Sequence, residues 1–141
     1  MKTKTTFAPE LIIPNGITDI SFYSKAFNAV ELWRLNNDDG SVHVAGFTID
    51  DALFHIHEQT AHNGGFSPDK YNGTTVAIGL MVDDVHAAVA QAEAAGGQIT
   101  SPVTDYDYGY RQGSITDPFG HHWTIEKIID PDILTSGNYG K

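Results

Sequence analysis

The chain has 141 residues, 40% of them hydrophobic and 18% charged, which suits one globular domain or two small modules sharing a core. Its 18 acidic residues outnumber 8 basic ones, for a net charge of −10, and that excess argues against a nucleic-acid partner, whose phosphates call for a basic surface. There is no cysteine, no apolar run near the roughly 20 residues of a membrane helix, and no apolar core of a signal peptide in MKTKTTFAPE, so the expectation is a cytoplasmic protein with no membrane partner and no disulfides.

In chain order, FAPELIIP reads as an extended apolar strand closed by Pro14. NGITDISFYSKAFNA reads as a helix with Asn15 as N-cap, because Ile17, Ile20, Tyr23, Ala26 and Phe27 fall at helical spacing. VELWRL is a strand, NNDDG a hairpin turn whose Asn, Asp and Gly tolerate positive φ, and SVHVAGFTI the next strand. Asp50-Asp51 turns the chain into ALFHIHE. QTAHNGGFSPDKYNG has no periodicity and reads as a linker.

The second half repeats the order. TTVAIGLMV is a strand, and Asp83-Asp84 caps a helix with Val85, Ala88, Val89 and Ala92 as its buried stripe. Gly96-Gly97 stops it. GQITSPV is a short strand, DYDYGYRQG a loop, and SITD leads through DPFG into HWTIEKII. The expected organisation is a first βαβββ module over residues 7–58, a linker over 59–73, a second module over 74–129 and a loose polar tail over 130–141, together one structural domain. One fifty-residue unit with a single helix leaves a sheet face bare, so two are expected side by side.

Strand parity assigns the faces. Phe54 and Ile56 share one side and His55 and His57 the other; Trp123 and Ile125 share one side and His122, Thr124 and Glu126 the other. Apolar residues should face the helix, leaving the polar residues on a concave side. By repeat equivalence Phe54 matches Trp123, His55 matches Thr124 and Ile56 matches Ile125.

FYSKAFNAVELWRL, DDGSVHVAGFTIDDA, MVDDVHAAVAQAEAAGG and YGYRQGSITDPFGHHWTI, in that order over residues 7–129, resemble the vicinal oxygen chelate superfamily, which includes glyoxalase I, extradiol dioxygenases and the fosfomycin and bleomycin resistance proteins. Within it the chain is most similar to the PhnB-like group, with Tyr110 standing where that group usually has an acidic residue. The resemblance implies an α+β fold of two βαβββ modules forming a cupped mixed sheet, and a homodimer. Its metal-using members place ligands on four strands, which fall here on Ala8, His55, Ala77 and Thr124. Alanine offers no lone pair and threonine is a poor ligand, so His55 stands alone, and one donor does not hold a transition metal. The expectation is therefore no cofactor. A relocated divalent-metal site from His55, His57, His122 and Glu126 stays open, because each pair shares a strand face, with Glu10 in the same phase as Ala8.

His43, in the phase of Ala45 and Phe47, is the candidate catalytic residue, since a neutral imidazole can donate, accept or act as a base; the resemblance also places a histidine here often. With His43, the candidate ligand-binding residues are Phe47, His55, Tyr108, Arg111 and His122. Arg111 offers a rigid donor fork, or else pairs with an acid in TDYDYG. Trp33, Phe47, Tyr106 and Tyr110 supply an aromatic wall or core, and Trp123 belongs to the core. His121 reads as a turn residue. No Gly-rich phosphate loop and no nucleophile elbow are present. Three functions stand open: a metal-free protein binding a small aromatic or polar molecule, perhaps a sequestering resistance protein; a lyase, isomerase or dioxygenase with a relocated metal; and a dimeric structural module with a filled groove.

Overall fold

The computed structural model describes residues 2–134, and the last part of the tail lies outside them. The chain divides into two compact units, Met1–Gly73 and Thr74–Lys141, with the boundary where the second module was expected to begin. Each unit holds one four-stranded mixed sheet and one α-helix, in the order βαβββ.

In the first unit the strands are β1 (Glu10–Ile13), β2 (Val30–Asn36), β3 (Val42–Ile49) and β4 (Ala52–Glu58). Their order across the sheet is β1-β4-β3-β2. β1 runs parallel to β4, and the other neighbours are antiparallel. The hairpin turn closes as NNDDG suggests: Gly40 takes φ 86°, and Asp39 Oδ1 accepts from both the backbone N–H and the hydroxyl of Ser41.

The helix α1 (Phe22–Phe27) is much shorter than the expected one. Ile17 to Ile20 are not helical, although Ile20 is buried. The local reason is Asp19, whose carboxylate accepts from the N–H and hydroxyl of Ser21 and so offers the backbone a turn instead. Asn15 does not cap a helix; its side chain reaches across to Glu58. Tyr23 seats the helix on the sheet, its ring 5.6 Å from Phe47 and 5.3 Å from Phe54, which stack on each other. The expected linker belongs to this unit: Ser67 and Pro68 are buried, and the Ser67 N–H donates to Gln59 Oε1.

In the second unit the strands are β5 (Ala77–Met81), β6 (Gln98–Asp105), β7 (Tyr110–Thr116) and β8 (His122–Ile128), ordered β5-β8-β7-β6. β7 begins at Tyr110, so the loop is shorter than the whole of DYDYGYRQG. The helix α2 (Val85–Ala94) is capped by Asp84, whose side chain accepts from the Ala87 N–H. It buries Val85, Val89 and Ala92. Trp123 is buried, as expected, and its indole N–H donates to Asp117 Oδ2 at 3.1 Å. Residues Pro131–Leu134 of the tail form a short 3-10 turn. Among the described residues no helix is long and apolar enough to cross a membrane.

Candidate functional site

Parity works as the sequence suggests on β4 and β8. Phe54, Ile56, Trp123 and Ile125 are buried, while His55, His57, His122 and Thr124 are half-buried on the opposite faces. Each unit therefore has a face away from its helix that is free to carry chemistry.

On the first sheet that face gains a residue by a bulge. Leu35 pairs with Val44 and Asn36 with Val42, so His43 has no residue opposite it on β2. The irregularity returns Val42 to the core, where it is fully buried, and takes His43 out of the expected phase of Ala45 and Phe47. Its ring instead lies 4.8 Å from that of His57. Such an extra residue re-aims one side chain without disturbing the rest of the strand.

Glu58 holds His43. The His43 Nδ1 lies 2.8 Å from Glu58 Oε1, and the side chains of Asn15 and Asn37 also donate to this carboxylate. The hydrogen bond from His43, then that from Asn15 and that from Asn37, hold the Glu58 carboxyl below the usual glutamate range, against the burial that raises it. An ionised carboxylate only accepts, so its partner assigns the proton to Nδ1 and leaves the Nε2 lone pair of His43 outward. His57 is held differently: its Nδ1 is 2.6 Å from the Glu58 carbonyl oxygen and 3.2 Å from Asn63 Nδ2, which also donates to that carbonyl. Two neighbouring imidazoles thus each commit Nδ1 to the protein.

Further along this face, His55 meets the edge of the Trp33 ring at 5.4 Å. Trp33 lies across Gly46, its partner on β3, where an added Cβ would run into the indole. Phe47 is elsewhere. It is 1% exposed, on the helix side of the sheet, so the structure moves it from the candidate ligand residues to the core.

The second sheet presents hydroxyls. A hollow of about 370 Å³ is lined by Thr74, Thr75, Val76, Ala77, Thr100, Ser101, Ser114, His122 and Thr124. His122 Nδ1 is 3.0 Å from Thr116 Oγ1. Beside the hollow, Tyr108 donates to Gln112 Oε1, and Gln112 Nε2 donates to Glu126 Oε1 at 3.1 Å. Gly79 leaves room for that carboxylate, because a Cβ there would stand 3.2 Å from Glu126 Oε2. Arg111 is committed: its guanidinium makes two hydrogen bonds to Asp105, at 2.7 and 3.0 Å. That contact raises the arginine and lowers the aspartate from their usual ranges. Of the two roles open to Arg111, loop pairing is the one seen.

Five residues central to these faces escape a reading of the sequence: Asn15, Asn37, Glu58, Gln112 and Ser114. Glu58 left a signal. It sits in the phase of Phe54 and Ile56, and an acid in the buried phase of a strand has to be partnered. The others are polar residues in turns or in polar strand phases, where nothing local distinguishes them.

A metal fits these residues poorly. Ala8 and Ala77 carry no donor, Thr124 is a weak one, and among the described residues no group of three or more His, Asp or Glu side chains is placed to hold an ion. His57 and His122 each have one nitrogen engaged by the protein, and Glu126 accepts from Gln112.

A family profile described as the Glyoxalase/Bleomycin resistance protein/Dioxygenase superfamily matches residues 18–125. The uncharacterized protein Mb0911c of Mycobacterium bovis is 35% identical over 137 residues, covering 92% of this chain and 87% of that one. Among solved structures, a gene product of Arabidopsis thaliana, AT5G48480, superposes with a TM-score of 0.67 at 28% identity, over 87% of this chain and 98% of that one. A mutant of the fosfomycin resistance protein FosX from Listeria monocytogenes, solved with Mn(II) and 1S,2S-dihydroxypropylphosphonic acid, gives 0.66 at 16% identity, over 98% and 100%. At that identity the likeness to FosX is one of fold.

Proposed function

The chain belongs to the Glyoxalase/Bleomycin resistance protein/Dioxygenase superfamily, and from that premise we propose that it binds a small aromatic or polar molecule without a metal, as a PhnB-like member. One observation carries the reading: of the four places where metal-using members are expected to hold ligands, Ala8, His55, Ala77 and Thr124, only His55 offers a good donor. The faces support a neutral ligand. No charged side chain lines the hydroxyl hollow, and the nearby arginine is already paired. The hydroxyls of the hollow and the His122 ring would orient such a ligand, and Val76 and Ala77 would supply apolar contact area. A sequestering role follows from binding without turnover.

A second reading rests on the Glu58-held His43. A histidine with its proton fixed on Nδ1 by a carboxylate and Nε2 free has the arrangement of a general base, so metal-independent proton transfer from a bound phenol or enol is the alternative.

The test is a thermal-shift and tryptophan-fluorescence screen of neutral phenols and hydroxylated aromatics, run before and after chelation. The expected result is saturable binding that chelation leaves unchanged and that Ser114→Val weakens. Binding that appears only with added divalent metal would overturn the proposal.

A further inference from the structure

The open face of the second sheet is laid out in rungs. Ser114 pairs with Thr124 at the hollow, and one rung further along the same two strands Gln112 pairs with Glu126. Alternate residues of a strand stand about 7 Å apart and point the same way, so the Glu126 carboxylate lies beside the hollow, within one aromatic ring of its hydroxyls. Met81 is the β5 partner of Glu126 and is 57% exposed, which puts a soft apolar surface at the same rung.

The two rungs differ in what they can tell apart. A serine or threonine hydroxyl rotates and serves as donor or acceptor, so Ser114 and Thr124 take a ligand hydroxyl and a ligand ether alike. Glu126 is fixed. A carboxylate only accepts, so the atom that Gln112 turns toward Oε1 is its amide nitrogen, 3.1 Å away. That leaves the amide oxygen of Gln112 toward Tyr108, whose hydroxyl donates to it. The chain from Tyr108 through Gln112 to Glu126 therefore has one direction, and it pins Oε1. The other oxygen, Oε2, lies over the bare backbone of Gly79, where an added Cβ would stand 3.2 Å from it. Oε2 has no hydrogen-bond partner among the described residues. No buried side-chain polar atom of those residues lacks a partner, so Oε2 is accessible to a ligand.

We propose that Glu126 sets the ligand class of this site: its Oε2 accepts a hydrogen bond from a neutral O–H or N–H donor of an aromatic molecule whose other polar end lies in the hydroxyl hollow. Phenols and aromatic carboxamides are taken. Their alkylated counterparts lack the donor, leave the carboxylate oxygen desolvated with nothing to accept, and are rejected. The ring between the two polar ends lies against Met81. Tyr108 and Gln112 are positioning residues that hold the carboxylate in place. The inference rests on the hydroxyl hollow being the ligand site.

The test is calorimetric titration of the full chain with 4-hydroxyacetophenone and with its methyl ether, at a slightly acidic pH where the phenol keeps its proton. The ketone end is the same in both, so the ratio of the two affinities reads the donor alone. The wild type is expected to bind the phenol about tenfold or more tightly than the ether. In Glu126→Gln the new amide oxygen can still accept from Gln112 while its NH₂ replaces Oε2, so the ratio should fall to unity or reverse. Tyr108→Phe should lower the ratio by less, whereas a merely structural role would weaken both ligands alike. Ser114→Val should weaken both by a similar factor. Equal affinities in the wild type, no saturable binding of either ligand, or a wild-type ratio in folded Glu126→Gln would each overturn the proposal. The two readings fail separately. If Ser114→Val weakens both ligands and Glu126→Gln leaves the ratio unchanged, the hollow stands and the role of Glu126 falls. If Ser114→Val binds both as the wild type does, the hollow falls and takes this inference with it. Should circular dichroism show Glu126→Gln misfolded, Glu126→Asp decides, because it keeps the charge and withdraws the oxygen by one methylene: a folded Glu126→Asp protein with the wild-type ratio would overturn the proposal.

Discussion

The two units repeat one order of elements and one pattern of buried residues, and differ on the face away from the helix. Phe54 and Trp123 are buried at equivalent positions, as are Ile56 and Ile125. The other face of the first sheet carries imidazoles gathered near one carboxylate, His43 and His57 beside Glu58. The equivalent face of the second carries hydroxyls, with Gln112 and Glu126 at one side. The buried carboxylates differ in the same way. Glu58 gathers side chains from three segments, whereas Asp117 serves its own turn and Trp123, accepting from the N–H groups of Phe119 and His121 and from the indole. Packing against a helix constrains the core residues, while the open face is left to diverge, which is why the chemistry of a repeated fold can be lopsided.

The largest effects should come where the units are alike. Phe54→Ala and Trp123→Ala each remove a buried ring, and each should cost about 3–5 kcal/mol in urea unfolding. Losses that differ widely between the two would break the equivalence of the cores.

Glu58→Gln sharpens the difference between the units. It weakens the acceptor for His43, Asn15 and Asn37, and should cost about 1.5–3 kcal/mol at neutral pH. The pH dependence has a definite sign. The folded state lowers the Glu58 pKa, so this carboxylate stabilises the fold above the ordinary glutamate range. That contribution is lost as pH falls through its lowered value. The gap between wild type and Glu58→Gln should therefore narrow on acidification; a gap that widens would contradict the assignment.

A smaller contrast concerns the helices. Asp84→Ala removes the cap of α2 and should cost about 1 kcal/mol, while Ser21→Ala should cost less, because Ser21 makes no side-chain cap to α1. Smallest of all, Arg111→Gln should leave stability unchanged within error, since it breaks an exposed pair. If it abolished ligand binding instead, Arg111 would be a ligand residue after all.

Much of this was legible in the sequence, for local reasons. Period-two alternation places β4 and β8 correctly and assigns their faces, and Asp84 before an apolar stripe marks α2. The misreadings have physical causes as well. Helical spacing of Ile17 and Ile20 is matched equally by a loop that buries Ile20 while Asp19 bonds Ser21. The phase of His43 fails because a bulge depends on pairing with β2, a partner in space that no count along one strand reveals. Phe47 looked available to a ligand because it shares a strand with the candidate histidine, yet its side chain meets Tyr23 and Phe54. The polar partners of Glu58 come from positions 15, 37 and 43, and only folding brings them together.

The most direct measurement is the metal content of tag-free protein after incubation with Zn²⁺, Ni²⁺, Mn²⁺ and Fe²⁺ and desalting. The expected result is no retained metal near one equivalent, because Ala8, Ala77 and Thr124 cannot complete a site with His55. Near-stoichiometric metal that disappears in His55→Ala would contradict the metal-independent reading.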